Sequence, residues 1–270
     1  MNYDIIDSNG LTYHTGMLLP VEKTTRVSMY PKVSFDRNTV EGLINDKDRV
    51  KSRDLFGDDW VYNQGNIGSC NGCAGAKALE RSRVKSGMDH VVLSGEYLYS
   101  RINDSRDIGS MLDDGMEWLS KNGVAPFKSR HSQKYRERDF TAEDVRDAAR
   151  YKGIECYGVD TELELATGLA LGFVGVVAVH ATNAFMNLDN QGRVQRSQGP
   201  GNHAVLVDDV RIIDGELCFD MANSWGLSYG DKGRGYLTWK NHLSQPNSNH
   251  YFYLIRATST DSEDGTPELQ

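Results

Sequence analysis

Tyr62-Asn63-Gln64-Gly65-Asn66-Ile67-Gly68-Ser69-Cys70 is a polar, glycine-punctuated turn that delivers a cysteine to a run of small residues, Asn71-Gly72-Cys73-Ala74-Gly75-Ala76. Ser69 stands where a helix cap belongs, and the pattern predicts a helix from there to a stop at Gly87, with Glu80 and Arg83 one turn apart. Side chains this small let a helix pack closely on its neighbours, so this helix is expected at the centre of the molecule. A thiol in its first turn sits among unpaired backbone N–H groups at the positive end of the helix dipole. Both favour the thiolate, so the Cys70 pKa is expected to fall. A thiolate is the form that attacks carbonyl carbon.

Upstream, residues 1–57 are polar and irregular, interrupted by Pro20 and Pro31, with charges crowding Asn45 to Asp59 and a weak amphipathic stretch at Val40 to Ile44. They read as an extended arm laid on the main body; a cleavable pro-segment, or an arm docking on a larger assembly, are the alternatives. Downstream, helices are predicted from a Ser94 cap (Tyr97, Leu98, Ile102) and from a Ser110 cap (Leu112, Met116 and Leu119 on one face, ending at Gly123). Two more open at the capping-box-like Thr141-Ala142-Glu143-Asp144 and at Thr161-Glu162-Leu163-Glu164. Then the period becomes strand-like. Phe173 to His180 reads as a buried strand. Ala204 to Ile213 and Glu216 to Met221 join through Asp214-Gly215, a hairpin signal. Gly235 to Trp239 and Tyr251 to Arg256 complete the set. Helices first and antiparallel strands second is α+β organisation with two unlike lobes. The acidic tail from Thr258 to Gln270 is expected to be disordered.

The length of 270 residues suits one large domain or two closely packed lobes, and 39% hydrophobic with 25% charged residues is ordinary globular usage. A net charge of −8 disfavours a nucleic-acid partner. The longest apolar run, Phe173 to Val179, falls far short of the roughly 20 residues that span a bilayer, and Met1-Asn2-Tyr3-Asp4 has no basic n-region or following apolar stretch, so neither a membrane partner nor a secretory signal is expected. The four cysteines, Cys70, Cys73, Cys156 and Cys218, are too sparse for a disulfide scaffold, and the single C-x-x-C lacks histidines at zinc-ligand spacing. Free thiols in a reducing compartment such as the cytoplasm, and no metal, are expected.

Two further signals lie in the second half. In Gly201-Asn202-His203-Ala204-Val205-Leu206-Val207 a histidine opens an apolar strand, and Asn223-Ser224-Trp225-Gly226 follows 20 residues after that histidine. With the Gln64-Gly65-x-x-Gly68-Ser69-Cys70 turn, these residues resemble the papain family of cysteine proteases, from about Asp58 to Ala257. The gap of 133 residues between Cys70 and His203 matches the family's spacing of roughly 130–150. The resemblance implies a two-lobed papain-like fold, a helical N-terminal lobe against an antiparallel, β-barrel-like C-terminal lobe, with the site in the cleft between them. It implies Cys70 as nucleophile, His203 as base, Asn223 orienting the imidazole, Trp225 shielding that contact, and Gln64 donating to the oxyanion beside the Cys70 N–H. Peptide bonds would be cleaved through a thioester without a cofactor. Gly109, Ser110, Asn202 and Trp225 are the implied substrate-binding residues. Asn71 departs from the family, which usually carries an aromatic residue after the nucleophile, and Ile67 stands where many secreted members have a disulfide cysteine. The short arm lacks the long helical prodomain of secreted cathepsins, which argues against autoinhibition by residues 1–57.

Blander readings stand beside these. Cys70 alone would be a buried thiol, and His203 alone a structural histidine; their order with Gln64 and Asn223 favours catalysis. Cys70-Asn71-Gly72-Cys73 has redox-pair spacing, but no strand precedes it, so Cys73 is expected to be a small core residue. The acidic stretch Asp104 to Asp114 reads as a solvated loop rather than a calcium site. A papain-fold binding or assembly protein with little turnover, and acyl transfer such as deamidation or transglutamination, are the rival functions.

Overall fold

The computed structural model describes residues 4–7, 9–19, 34–57, 61–244 and 252–258; Pro20, Pro31, Asp58, Tyr251 and the tail beyond Thr258 lie outside them. Near the N-terminus β1 (Asp4–Ile6) pairs antiparallel with β2 (Thr12–His14), and β3 (Met17–Leu18) follows. Two helices, α1 (Arg37–Ile44) and α2 (Ser52–Phe56), occupy a stretch expected to be mostly irregular. Asp36 starts α1 by accepting from the Thr39 N–H at 3.0 Å, so the weak amphipathic pattern was the visible part of a capped helix.

The helical half contains α3 (Cys70–Lys85), α4 (Gly95–Ile102), the short strand β4 (Ser110–Met111), α5 (Leu112–Lys121) and α6 (Ala142–Ala148). After it come β5 (Ile154–Val159), α7 (Glu162–Ala170), β6 (Val174–Val179), β7 (His203–Ile213), β8 (Glu216–Ala222), β9 (Arg234–Thr238) and β10 (Phe252–Ala257). These strands form one sheet in the order β5-β10-β6-β7-β8-β9, antiparallel throughout. The α+β class and the helix-then-strand order are as expected. The barrel-like lobe is instead an open sheet, with β5 and β9 at its edges. Asp214 and Gly215 turn the β7–β8 hairpin with φ of 52° and 76°, the left-handed pair that a type I′ turn requires.

Every α3 residue from Cys70 to Arg83 is buried. A Cβ on Gly72 would lie 2.3 Å from the Gly95 carbonyl oxygen, so only glycine lets α4 approach this closely. The charges inside the core are paired. Arg81 of α3 reaches Asp208 of β7, and Arg234 of β9 joins Asp208 at 2.7 Å and Asp220 at 3.0 Å. Glu80 pairs with Lys77 and His90 rather than with Arg83, whose guanidinium lies over the Tyr151 ring.

Two expected caps are corrected. Ser69 occupies the N-cap position but makes no side-chain cap bond; its hydroxyl lies 3.7 Å from the Cys73 sulfur. Ser110 does not start α5, because it is drawn into β4 by pairing with Met17 of β3. No helix among the described residues is long and apolar enough to cross a membrane.

Candidate active site

Cys70 is the first residue of α3 and is completely buried. His203 opens β7, and Asn223 follows the last residue of β8, the next strand in the sheet. The His203 Nε2 and Asn223 Oδ1 are 2.8 Å apart, so Nε2 carries the proton and donates to the amide oxygen, which leaves Nδ1 as the basic nitrogen of the neutral ring. That Nδ1 is buried and makes no hydrogen bond. Trp225 stacks on the His203 ring at 4.4 Å, with 22° between the planes. The N–H of Ala204, next to His203, is directed at the Cys70 sulfur, which brings the start of β7 to the start of α3.

The Cys70 pKa is raised to about 11, not lowered. Burial is the dominant cause, and it outweighs four backbone N–H groups, from Ala204, Gly16, Asn71 and Cys70 itself, that favour the thiolate. No imidazolium stands beside it, because burial lowers the His203 pKa to about 4 despite its bond to Asn223. In this closed arrangement both groups are neutral at pH 7. The position of Cys70 on its helix was read correctly, and the environment above it was not.

What closes the site is the chain's own N-terminal segment. Gln64 Nε2 donates to the Ile67 carbonyl at 2.9 Å and to the His14 carbonyl at 3.1 Å, and Trp225 Nε1 reaches the same His14 oxygen at 3.3 Å. Gly16 directs its N–H at the Cys70 sulfur and gives its carbonyl to the Ser110 N–H at 2.8 Å. The Met17 N–H donates to the Asn202 carbonyl at 3.1 Å, and Met17–Leu18 pair parallel with Ser110–Met111. Gly109 has φ +89°, and a Cβ there would lie 2.2 Å from the Gly16 oxygen. Thus Gln64, Gly109, Ser110, Asn202 and Trp225 all meet residues 14–17. Residues 14–17 reach these groups as extended chain and short strand, not as a helix.

Several residues that support this geometry carried no readable signal. Ser224 donates to Gln64 Oε1 at 2.6 Å and so fixes which way that amide points. Gln133 grips the loop before the nucleophile, donating to the Gln64 carbonyl and accepting from the Asn66 N–H, both at 2.9 Å. Asp107 accepts from the Gly68 N–H at 2.8 Å and from the Tyr99 hydroxyl at 2.9 Å, so this part of the acidic stretch is structural rather than solvated. Asn202 uses its side chain on Ala181, at 2.8 and 3.0 Å, leaving only its backbone carbonyl to face the cleft. The four cysteines are free and buried, and Cys73 packs against Gly95, whose added Cβ would lie 2.8 Å from its sulfur.

Residues 53–251 match the family described as papain family cysteine protease, and the chain belongs to that family. Cysteine proteinase 1 of Entamoeba histolytica is 26% identical over 185 residues, covering 64% of this chain and 58% of that protein. The chain therefore spans less than two thirds of that relative's length. Xylellain, a cysteine protease from Xylella fastidiosa, superposes with a TM-score of 0.65 at 21% identity, covering 90% of this chain and 96% of that one. A procathepsin B from Trypanosoma congolense gives a TM-score of 0.65 at 14% identity over 91% and 87% of the two chains. At these identities the structural likeness concerns the fold.

Proposed function

We propose that this chain is a thiol peptidase held latent by its own residues 12–18. The observation that carries the reading is that the groove beside Cys70 already holds peptide backbone, gripped by Gln64, Trp225, Asn202 and Ser110. Groups that bind one peptide through its main chain are suited to binding another. The carbonyl that Gln64 Nε2 grips belongs to His14, and the segment's N–H that favours the Cys70 thiolate belongs to Gly16.

With the segment withdrawn, water and substrate reach Cys70 and the burial that raises its pKa is relieved. The thiol proton passes to His203 Nδ1, since Nε2 is engaged by Asn223. The sulfur adds to a substrate carbonyl, and the oxyanion takes hydrogen bonds from Gln64 Nε2 and the Cys70 N–H. His203 returns the proton to the departing amine, leaving a thioester that water hydrolyses with the same imidazole as base. In this reading residues 1–57 act as a pro-segment rather than a docking arm, residues 58–257 form the peptidase unit, and the partner is a polypeptide substrate.

Labelling the full chain with a peptidyl epoxide, then mapping the modified peptide by mass, tests this. Modification confined to Cys70, slow in the wild type, faster when the segment is loosened and lost in His203→Ala, supports the reading. Equal, slow labelling of all four cysteines contradicts it. Mass analysis of the products separates hydrolysis from deamidation or cross-linking.

A further inference from the structure

We propose that Asn71 is a positioning residue that fastens the peptide-binding strand β4 to the nucleophile's helix. The claim rests on the peptidase reading above for its functional meaning, but on separate contacts for its geometry. Asn71 is completely buried, and its Nδ2 donates to the Ser110 hydroxyl at 3.0 Å and to the Met111 carbonyl at 2.7 Å. Its backbone N–H is directed at the Cys70 sulfur. One residue therefore follows the nucleophile directly in the chain and bonds both residues of β4 through its side chain. Ser110 in turn donates its N–H to the peptide in the cleft, presently Gly16.

A space-filling role is a poor account of this side chain. Its Oδ1 makes no hydrogen bond, so donation is its polar use, and Gly115 of α5 stands against it: a Cβ there would lie 2.9 Å from Oδ1. The slot is thus cut to an amide. Burying an amide with one end unsatisfied is costly, and the two bonds donated from the other end offset that cost. Here the donor holds the Met111 carbonyl, which sits immediately before α5, and thereby sets the distance between β4 and Cys70. Asn71 acts through β4; no step of the chemistry passes through its side chain.

The experiment uses the full chain as wild type, Asn71→Leu and Asn71→Ala. Leucine fills a similar volume without a donor, and alanine leaves the slot empty. Amide hydrogen exchange at Ser110 reads how firmly β4 is held, and Val205 in β7 reports on the fold as a whole. Loss of the two donated bonds predicts exchange at Ser110 faster by about tenfold or more in both variants, with Val205 unchanged. A wild-type rate at Ser110 in Asn71→Leu overturns the proposal, because packing alone then suffices; an equal rise at Val205 overturns it too, because the role is then general stability.

A second readout gives the functional consequence. In a chain whose segment is displaced by Gly16→Val, adding Asn71→Leu is expected to raise KM for a peptide by about tenfold while kcat, and the rate at which iodoacetamide alkylates Cys70, stay within about twofold, since the small reagent makes no use of β4. Equal losses in alkylation and peptide turnover would place Asn71 with the sulfur instead of the strand. If Cys70 of the Gly16→Val chain alkylates freely and the chain still cleaves no peptide, the peptidase reading fails, and the exchange result still decides the placement of β4.

Discussion

Gly16 is the residue on which closure turns. A Cβ at that position would lie 1.9 Å from the Gly68 carbonyl oxygen, with backbone on both sides of the clash. Gly16→Val cannot be accommodated by a side-chain swing, so the segment is expected to leave the groove. The rate of Cys70 alkylation at pH 7 should rise by at least about tenfold, as relief of burial lowers the thiol pKa; an unchanged rate would mean that the segment does not guard the sulfur. Once the groove is open, Gln64→Ala should reduce kcat by roughly 10²–10³-fold, the usual effect of removing one oxyanion donor. His203 sets a pH dependence of its own. Its folded pKa is about 4, below the ordinary 6.5, because the ring is buried. Between those values the unfolded chain binds the proton and the folded chain does not, so this group's contribution is intact above about 6.5 and is lost as the pH falls toward 4. Urea unfolding at pH 7 and 4.5, with an NMR titration of the His203 ring, measures it; a ring titrating near 6.5 in the closed chain contradicts the burial account.

Among the elements, α3 was the most legible, because its small residues and its stop at Gly87 are local properties. Its N-cap was misread for a physical reason. Ser69 has the right chemistry, but its hydroxyl lies against the Cys73 sulfur one turn on. Ser110 was likewise a plausible cap until a strand from residue 17, nearly a hundred positions away, claimed it. β5 escaped notice because Ile154-Glu155-Cys156-Tyr157-Gly158-Val159 is an edge strand with half-buried residues, so its hydrophobic alternation is diluted. The strand β3 is only two residues long, and no periodicity can announce an element that short. Its stability comes from the partner, so replacing Met17 by proline should remove the bond to the Asn202 carbonyl and loosen the segment. Faster Cys70 alkylation with unchanged exchange in β7 is the expected result; unchanged alkylation would show that β3 is not needed for closure.

Across the whole molecule, the helical half and the sheet are joined by buried charge as well as by apolar packing. Arg81 from α3 and Arg234 from β9 converge on Asp208 of β7, and Arg53 from α2 reaches Asp220 at 2.8 Å. Asp208→Asn would remove the carboxylate that Arg81 and Arg234 share, with Arg234 keeping its bond to Asp220, a loss of about 3–5 kcal/mol by comparison with other broken buried pairs. A shift of that size in the urea midpoint is expected; a change below about 1 kcal/mol would mean the cluster is hydrated and loosely coupled. None of these pairings could be read in advance, because charge spacing along α3 suggested a local Glu80–Arg83 pair, whereas burial selects partners across the fold. The motifs that place Cys70 at the start of α3 and pair His203 with Asn223 were legible, since each is written in a few adjacent residues. The state of the site was not, because it depends on residues 14–17 lying across it.

The most direct test of the account is cleavage of a fluorogenic peptide by the full chain carrying Gly16→Val, measured beside the same chain with Cys70→Ala added. Turnover in the first that falls to background in the second is the predicted result. Equal turnover in both, or none in the first while Cys70 alkylates freely, would contradict a peptidase working through that sulfur.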